Sequence, residues 1–467
     1  MPRLQQAVRA LDADPDLRAA SWAITVMDLR TRQVLLDRSG HLALSTASTM
    51  KVVSTAAALA VLGPEFRFRT RLEYDGTLEG GVLRGNLYIA GDGDPSLGSA
   101  RFGEPNDAAH TMIAWAQAIQ AAGIREIQGR VIADDQLYST QLMPGTWNWE
   151  DLANYYGAGV SALNINENLF RLDLVPGARA GDPVRVLRTD PPLGMELVNE
   201  LSTGAPGSGD QAYLFGAPYT PLRYVRGTIP AGVSSFSIKG TIPDPALHCA
   251  QRLTEELRSC GVQTGGEASS TRLLQAAQTL RSARRTVVYT WQSPPLSEIV
   301  FHTNQQSVNL FAEALGIRTA RELGKPASPA GAVEALEQYW SSQGLDPRQL
   351  FWADASGLSA ENAMSTSQLC ALLAQAWHAP YAEAFKASLP VAGQSGTLKN
   401  LAAGTAAEGR VRAKSGYIGG VRAYAGYVTT QGGQELAFAM IANRFSCTPG
   451  EMARKFGVLM ARMAEGQ

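Results

Sequence analysis

The sequence predicts an α+β protein of more than one domain, and three observations carry that prediction. The chain has 467 residues, beyond the size at which a single hydrophobic core stops growing. Segments with helical periodicity crowd its two ends, while strand-like pieces separated by Gly/Pro turns fill its middle. Composition agrees with a globular chain rich in turns: 45% of residues are apolar, with 46 glycines and 24 prolines. Charge is balanced, 41 basic against 42 acidic residues, and no basic run occurs. That balance argues against nucleic acid or an acidic membrane surface as the main partner.

Taken in order, residues 2–12 read as a short amphipathic helix through Leu4, Val8 and Leu11. Residues 21–29 and 33–37 alternate like strands about the polar turn Arg30-Thr31-Arg32, a hairpin signature. A helix then starts in the hydroxyl-rich stretch around Ser48 and stops near Gly63-Pro64. From 66 onward the texture changes to short strands, 66–74 and 83–90, followed by the loop Gly91-Asp92-Gly93-Asp94-Pro95-Ser96. That loop lacks the later bidentate Glu of an EF-hand calcium site and reads as a turn.

Residues 106–122 form an amphipathic helix and 127–133 a strand. Trp147, Trp149 and Asp151 follow in a loop ahead of Tyr155-Tyr156-Gly157-Ala158; loop aromatics either line a site or anchor the loop. Strands at 169–175, 184–188, 222–227 and 234–239 precede a helix over 244–260 with Ala246, Ala250, Leu253 and Leu257 on one face. The middle of the chain thus reads as inserted α+β material. Helices return at 296–303, 307–323, 330–343 and 365–377, then strands at 410–415, 421–429 and 434–443, and a last helix over 450–463. Met452, Phe456, Leu459 and Met463 form one stripe on that helix. With Glu451 and Glu465 acidic and few basic residues nearby, docking on the preceding sheet is favoured over a membrane surface.

The chemistry centres on Ser48-Thr49-Met50-Lys51 at the head of an Ala/Val/Leu helix. Residues three apart share a helix face, so a hydroxyl and an amine lie side by side near the positive end of the helix dipole. Read functionally, Ser48 is a nucleophile and Lys51 its base; read plainly, Ser48 is an N-cap and Lys51 a solvated cation. Among the seven lysines no other has a Ser three residues before it. The apolar surroundings also make an unpaired ammonium costly.

Two further signatures occur once each. Ser307-Val308-Asn309 opens a helix, and Lys414-Ser415-Gly416 ends a strand-like run; their plain readings are an N-cap and a strand end. Together and in this order, the three are the set shared by β-lactamases and penicillin-binding proteins. The physical logic is consistent. A Lys of ordinary pKa is no base at neutral pH unless it is desolvated or set beside another cation, and Lys414 supplies that cation. Ser307 relays a proton to a leaving amine, and Asn309 holds Lys51 and a substrate amide. A K-S-G edge strand lets a peptide add alongside, with Ser415 and Lys414 meeting a terminal carboxylate and Gly416 counted with Ser415 among the substrate-binding residues. The backbone N–H groups of Ser48 and Tyr417 form the oxyanion hole.

On these motifs the chain resembles the class C low-molecular-mass penicillin-binding proteins, the DacB-type D-alanyl-D-alanine carboxypeptidase/endopeptidases. The resemblance extends to Gly85-Asn86-Leu87-Tyr88-Ile89-Ala90-Gly91-Asp92-Gly93-Asp94-Pro95, to Tyr156-Gly157-Ala158 through Ser161-Ala162-Leu163-Asn164, and to Asp354-Ala355-Ser356-Gly357-Leu358-Ser359. A large insertion between the first two motifs adds to it. It implies a penicillin-binding transpeptidase/β-lactamase-like domain, an antiparallel sheet flanked by helices, over residues 1–66 and 283–467. It implies two nested inserted domains, a β-rich one over 67–95 and 162–282 and an α/β one over 96–161. It also implies peptidoglycan stem peptides as substrates, β-lactams as acylating inhibitors, no metal or cofactor, and an extracytoplasmic site of action with at most peripheral membrane contact. Val308 replaces a frequent Asp, and K-S-G replaces K-T-G. After Ser-Gly-Leu-Ser, Ala360 stands where relatives commonly carry the Arg that, with an Asp matching Asp151 in the Trp-rich loop, holds a diaminopimelate side chain. Trp147 and Asp151 are the expected substrate contacts from that loop.

The competing readings are a β-lactamase-like hydrolase or esterase, which needs fast deacylation, and a catalytically idle muropeptide-binding protein, which the intact Ser48, Lys51, Ser307, Asn309 and Lys414 oppose. A hydrolase of the G-x-S-x-G type is disfavoured, because Gly159-Val160-Ser161 lacks the second Gly. The five histidines are scattered, against a metal site or a His-based triad. Cys249 and Cys260 pair only if they do not share one straight helix, which would separate them by about 16 Å. The polar N-terminus has no signal core, so the chain is either cytoplasmic or a mature form with its export signal removed.

Overall fold

The computed structural model describes residues 2–104 and 106–466. The chain falls into two compact units, Met1–Phe66 with Pro295–Gln467, and Arg67–Pro294.

The first unit is organised on a five-stranded antiparallel sheet in the order Val34–Arg38, Ser21–Asp28, Glu435–Asn443, Val421–Thr429, Val411–Ile418. The N-terminal hairpin therefore joins a C-terminal meander through the pair Ser21–Asp28 and Glu435–Asn443. Alternation sends Trp22, Ile24, Val26, Leu436, Phe438 and Met440 to one face, where Leu4, Val8, Leu11, Met452, Phe456, Leu459 and Met463 of the helices Pro2–Asp12 and Pro449–Glu465 complete a core. The last helix is docked on the sheet as its stripe predicted, and its start is fixed by a Thr448/Glu451 capping box. The opposite face carries Ala437 and Ala439, small enough for the helix Thr366–Trp377 to lie close, and Thr25 hydrogen-bonds Thr366 there at 2.8 Å. Behind that helix the Ser48 helix Met50–Leu62, hydrophobic all round and buried to Leu59, packs against Leu296–Gln306, Asn309–Glu322 and Pro329–Ser342.

The second unit has two cores. One covers the sheet Ser269–Ser270, Val131–Asp134, Leu87–Ala90, Arg69–Tyr74, Thr286–Gln292 with the helices Ala108–Ala121 and Pro245–Ser259. The other lies between two three-stranded sheets built from Leu169–Val175, Arg185–Asp190 and Phe236–Thr241, and from Glu196–Gly204, Leu222–Pro230 and Gln211–Phe215.

These ladders redraw two expected boundaries. Leu87–Ala90 and Val131–Asp134 pair in parallel across the helix Ala108–Ala121. Parallel neighbours need a crossover of this kind, so 96–161 is not a separate nested domain, and its helix and strand share the core of 67–95. The piece with a core of its own runs from Leu169 to Ile242 with Ala153. Thr286–Gln292 pairs with Arg69–Tyr74, which assigns 283–294 to the inserted unit and not to the Ser48 unit. In the loop after Leu87–Ala90, Asp94 accepts bonds from the Ser96 backbone and hydroxyl at 2.8 and 2.5 Å, an Asx turn. Cys249 and Cys260 sit on and at the end of one helix, and all four cysteines are free thiols. Among the described residues no helix is long and apolar enough to cross a membrane.

Candidate active site

Ser48 lies in a 3-10 turn, Ala47–Thr49, that leads directly into the helix Met50–Leu62. Ala47 is held at a φ of 42°, in the left-handed region that non-glycine residues enter at a cost. No side chain caps this helix start, so the N-cap reading of Ser48 does not apply. Its Oγ instead accepts from Lys51 Nζ at 3.0 Å.

Lys51 is fully buried. Its ammonium donors are matched by Ser48 Oγ, by Asn309 Oδ1 at 2.5 Å and by the Ser356 carbonyl at 2.6 Å. Burial lowers its pKa to about 7, against the opposing pull of Asp354 and Glu313. The structure thus removes the objection that a lysine is too basic to accept a proton at neutral pH.

Asn309 is the first residue of Asn309–Glu322, and one turn along the same helix stands the buried Glu313. Glu313 accepts from the Ala355 N–H at 3.1 Å, and burial beside Asp354 pushes its pKa up. Asp354 knits the loop together, taking the backbone N–H groups of Ser356, Gly357 and Ser359 at 3.1, 2.6 and 2.6 Å and Asn362 Nδ2 at 2.8 Å. This loop delivers the Ser356 carbonyl to Lys51. It also presses on the Ser48 turn so closely that a Cβ on Gly357, at φ 80°, would lie 1.9 Å from the Ala47 carbonyl oxygen.

The sequence pattern assigns no role to residues 354–359 or to Glu313. An acid inside Leu310-Phe311-Ala312-Glu313-Ala314-Leu315, four residues after Asn309, was the available signal.

Ser307 is not an N-cap either: at φ 59° it ends the helix Leu296–Gln306 in the left-handed conformation. Its Oγ accepts from Lys414 Nζ at 3.0 Å, and Lys414 also reaches the Ser415 carbonyl at 2.7 Å. Lys414 is fully buried in mid-strand. Burial, then the nearby charges of Lys51 and Arg422, hold its pKa well below the usual lysine range.

Its strand, Val411–Ile418, is the edge of the sheet. Ala413 N–H donates to Pro390 and the Val411 carbonyl accepts from Ala392, so these backbone groups face outward. By the two-residue alternation of an antiparallel pair, Ser415 and Tyr417 present theirs at the same edge. Gly416 brings this edge against the Ser48 turn, since a Cβ there would lie 2.6 Å from the Thr46 carbonyl oxygen and 3.1 Å from the Thr49 nitrogen. Ser415 Oγ is bonded to Thr397 at 2.7 Å, and the Tyr417 ring is half exposed.

One small unit therefore assembles Ser48, Lys51, Ser307, Asn309, Lys414, Ser415, Gly416 and Tyr417 from five elements. Asp151 and Trp147 belong to the other unit. There Asp151 is hydrogen-bonded to Tyr156 and raised in pKa, chiefly by burial. Trp147 is buried; the aromatic of that loop that meets solvent is Trp149, 53% exposed and 6.4 Å from Phe215. Ala360 is exposed.

The sequence profile of the D-Ala-D-Ala carboxypeptidase 3 (S13) family matches residues 4–463. The chain is 32% identical over 461 residues to the D-alanyl-D-alanine carboxypeptidase of Actinomadura sp. (strain R39), covering 96% of this chain and 82% of that protein. It is 24% identical over 424 residues to D-alanyl-D-alanine carboxypeptidase DacB of Haemophilus influenzae, covering 90% and 84%. Its fold matches the crystal structure of penicillin binding protein 4 (dacB) from Haemophilus influenzae with a TM-score of 0.82 at 21% identity, over 95% of this chain and 96% of that one.

Proposed function

The chain belongs to the D-Ala-D-Ala carboxypeptidase 3 (S13) family, and from that premise we propose that Ser48 and Lys51 carry its reaction through an acyl-enzyme. The enzyme is a serine-type D-alanyl-D-alanine carboxypeptidase. The observation that supports this division of labour best is the buried Lys51 amine, lowered to about 7 and 3.0 Å from Ser48 Oγ.

Neutral Lys51 takes the Ser48 hydroxyl proton as Oγ attacks the carbonyl carbon of the penultimate D-Ala. Charge growing on the carbonyl oxygen meets the backbone N–H groups of Ser48 and Tyr417. The C–N bond then breaks, and the proton held by Lys51 passes through the Ser307 hydroxyl to the leaving amine. Lys414, donating to Ser307 Oγ, leaves that hydroxyl's own proton free to move. The ester on Ser48 is hydrolysed by a water that Lys51 deprotonates in turn. Contact with Ser48 Oγ is what gives Lys51 the role of base.

The substrate peptide lies along the open edge of Val411–Ile418, with its terminal carboxylate at Ser415. Cleavage of a cross-link by the same site, the endopeptidase reaction, changes only the amine that leaves. β-Lactams acylate Ser48 and, where water is poorly placed, stay there. Peptidoglycan substrates set the place of action outside the cytoplasm. With Ala360 in place of a guanidinium, the distal end of a diaminopimelate side chain loses one charge partner.

The test is intact-mass spectrometry after incubation with benzylpenicillin. A stable adduct on the wild type that is absent from Ser48→Ala is the expected result. An adduct that persists on Ser48→Ala refutes the assignment; turnover of the drug with no adduct favours the β-lactamase-like reading, and neither adduct nor turnover favours the idle binding protein.

A further inference from the structure

The three motifs give Lys51 its work but assign none to the buried acid beneath it. Glu313 is 2% exposed and stands one helical turn after Asn309, whose Oδ1 takes the Lys51 ammonium at 2.5 Å. Both carboxyl oxygens of Glu313 accept from the Ala355 N–H, at 3.1 and 3.3 Å, and the carboxyl is also bonded to the Ser356 side chain. The Ser356 carbonyl in turn accepts from Lys51 at 2.6 Å. Glu313 thus holds the Ala355-Ser356 dipeptide by its N–H end and Lys51 holds it by its carbonyl end. The helix lies tight against this loop: a Cβ on Gly316, one turn further on, would lie 2.8 Å from the Ala355 Cβ.

A lone ionised carboxylate in a dry interior is expensive, so a buried acid is either neutral or matched by a cation. Among the described residues the charged groups acting on Glu313 are Asp354 of the loop, which opposes its ionisation, and Lys51 of Met50–Leu62, which favours it. The effect is reciprocal, for Asp354 and then Glu313 favour the ammonium form of Lys51 against burial. Toward the edge strand the charge of Lys51 reaches Lys414 and helps to hold that amine low. Asp354 directs its oxygens to four donors of its own loop, the N–H groups of Ser356, Gly357 and Ser359 and the Asn362 amide. Glu313 bridges from the helix to the dipeptide that Lys51 also touches.

We propose that Glu313 is a positioning residue of the reaction: it supplies the counter-charge for the ammonium that forms on Lys51 when the Ser48 proton is taken, and it fixes the carbonyl on which that ammonium rests. The inference rests on the reading of Ser48 as nucleophile and Lys51 as base. In that step the Ser48 O–H bond breaks, the proton goes to Lys51 Nζ, and the Oγ electron pair forms the new bond to the carbonyl carbon. Glu313 exchanges no proton and touches no substrate; its charge acts across the pocket. Without that charge the new ammonium meets one anion fewer in a dry site. Lys51 then becomes a weaker base, neutral over a wider pH range but slower to take the proton.

The test is the benzylpenicillin acylation rate from pH 5.5 to 9 on wild type, Glu313→Gln and Glu313→Asp, with thermal melting of each as a fold control. Glu313→Gln keeps an oxygen for the Ala355 N–H and removes the charge. Losing a negative neighbour lowers the pKa of an amine, so the acid limb of its profile is expected to move to lower pH by about one unit. Its plateau is expected to lie about three- to tenfold below wild type, as for a weaker base. Glu313→Asp keeps the charge with a shorter reach, and its acid limb is expected within about half a unit of wild type. A folded Glu313→Gln whose acid limb stays in place or moves to higher pH overturns the inference. If only Glu313→Asp folds, a limb displaced by more than about half a unit overturns it. Loss of the fold in both variants overturns it too, since Glu313 is then a structural acceptor alone. A wild type that forms no penicillin adduct overturns instead the reading of Ser48.

Discussion

Acid should silence this enzyme along a curve set by Lys51. Only neutral Lys51 can accept the Ser48 proton, so the acylation rate follows the neutral fraction of an amine whose pKa is about 7. The sign is fixed: a base with a depressed pKa works above that pKa and is lost as pH falls through it. Between pH 8.5 and pH 5.5 the neutral fraction falls about thirtyfold, most of it below pH 7. With the ordinary lysine pKa of 10.5, Lys51 would instead give a rate still climbing about tenfold per pH unit at pH 8.5. The lowering from 10.5 to about 7 corresponds to about 5 kcal/mol of preference for the neutral amine, which the dry pocket around Lys51 must supply. The assay is the second-order rate constant for benzylpenicillin acylation by stopped flow from pH 5.5 to 9, with intrinsic fluorescence confirming that the protein stays folded. A rate flat across the range, or one that rises without a plateau to pH 9, refutes Lys51 as a desolvated base.

Two substitutions test the supports of the site. Gly416→Ala drives a Cβ to 2.6 Å from the Thr46 carbonyl oxygen; melting should show a loss of about 1–3 kcal/mol, and acylation should fall about a hundredfold as the edge strand moves from the Ser48 turn. Unchanged acylation would mean that this contact does not set the oxyanion geometry. Asp354→Ala strips the acceptor from three buried backbone N–H groups; urea denaturation should show a loss of about 3 kcal/mol or more, with acylation lost even where the protein remains folded.

The proposed catalytic groups are legible because the proposed reaction demands particular residues at particular spacings. Ser48 and Lys51 are fixed by one turn of helix, Ser307 and Asn309 by a helix junction, and Lys414 to Gly416 by three successive strand positions. All are local patterns. Glu313 and Asp354 escaped because their significance comes from where two distant segments meet under Lys51, and no local period records that. That Trp147 is buried and Trp149 exposed is not legible either, because burial within a loop cannot be read from composition. The inner boundary of the inserted unit was misplaced for a related reason. A change of texture at residue 96 looks like a border, but the parallel pairing of Leu87–Ala90 with Val131–Asp134 makes that stretch the crossover of a single βαβ unit.

The central sheet of the catalytic unit carries a timing consequence. Ser21 pairs with Asn443, 422 residues later. At synthesis rates of about 5–20 residues per second, the hairpin that includes Ser21 waits about 20–80 s for its partner strand. The contiguous Arg67–Pro294 unit has all its strands long before then. Ser48 is thus among the first residues made, while the framework around it is completed last. A chain truncated before Glu435 contains every motif residue and lacks the strand that joins the two ends, so premature products carry Ser48 without an activated site.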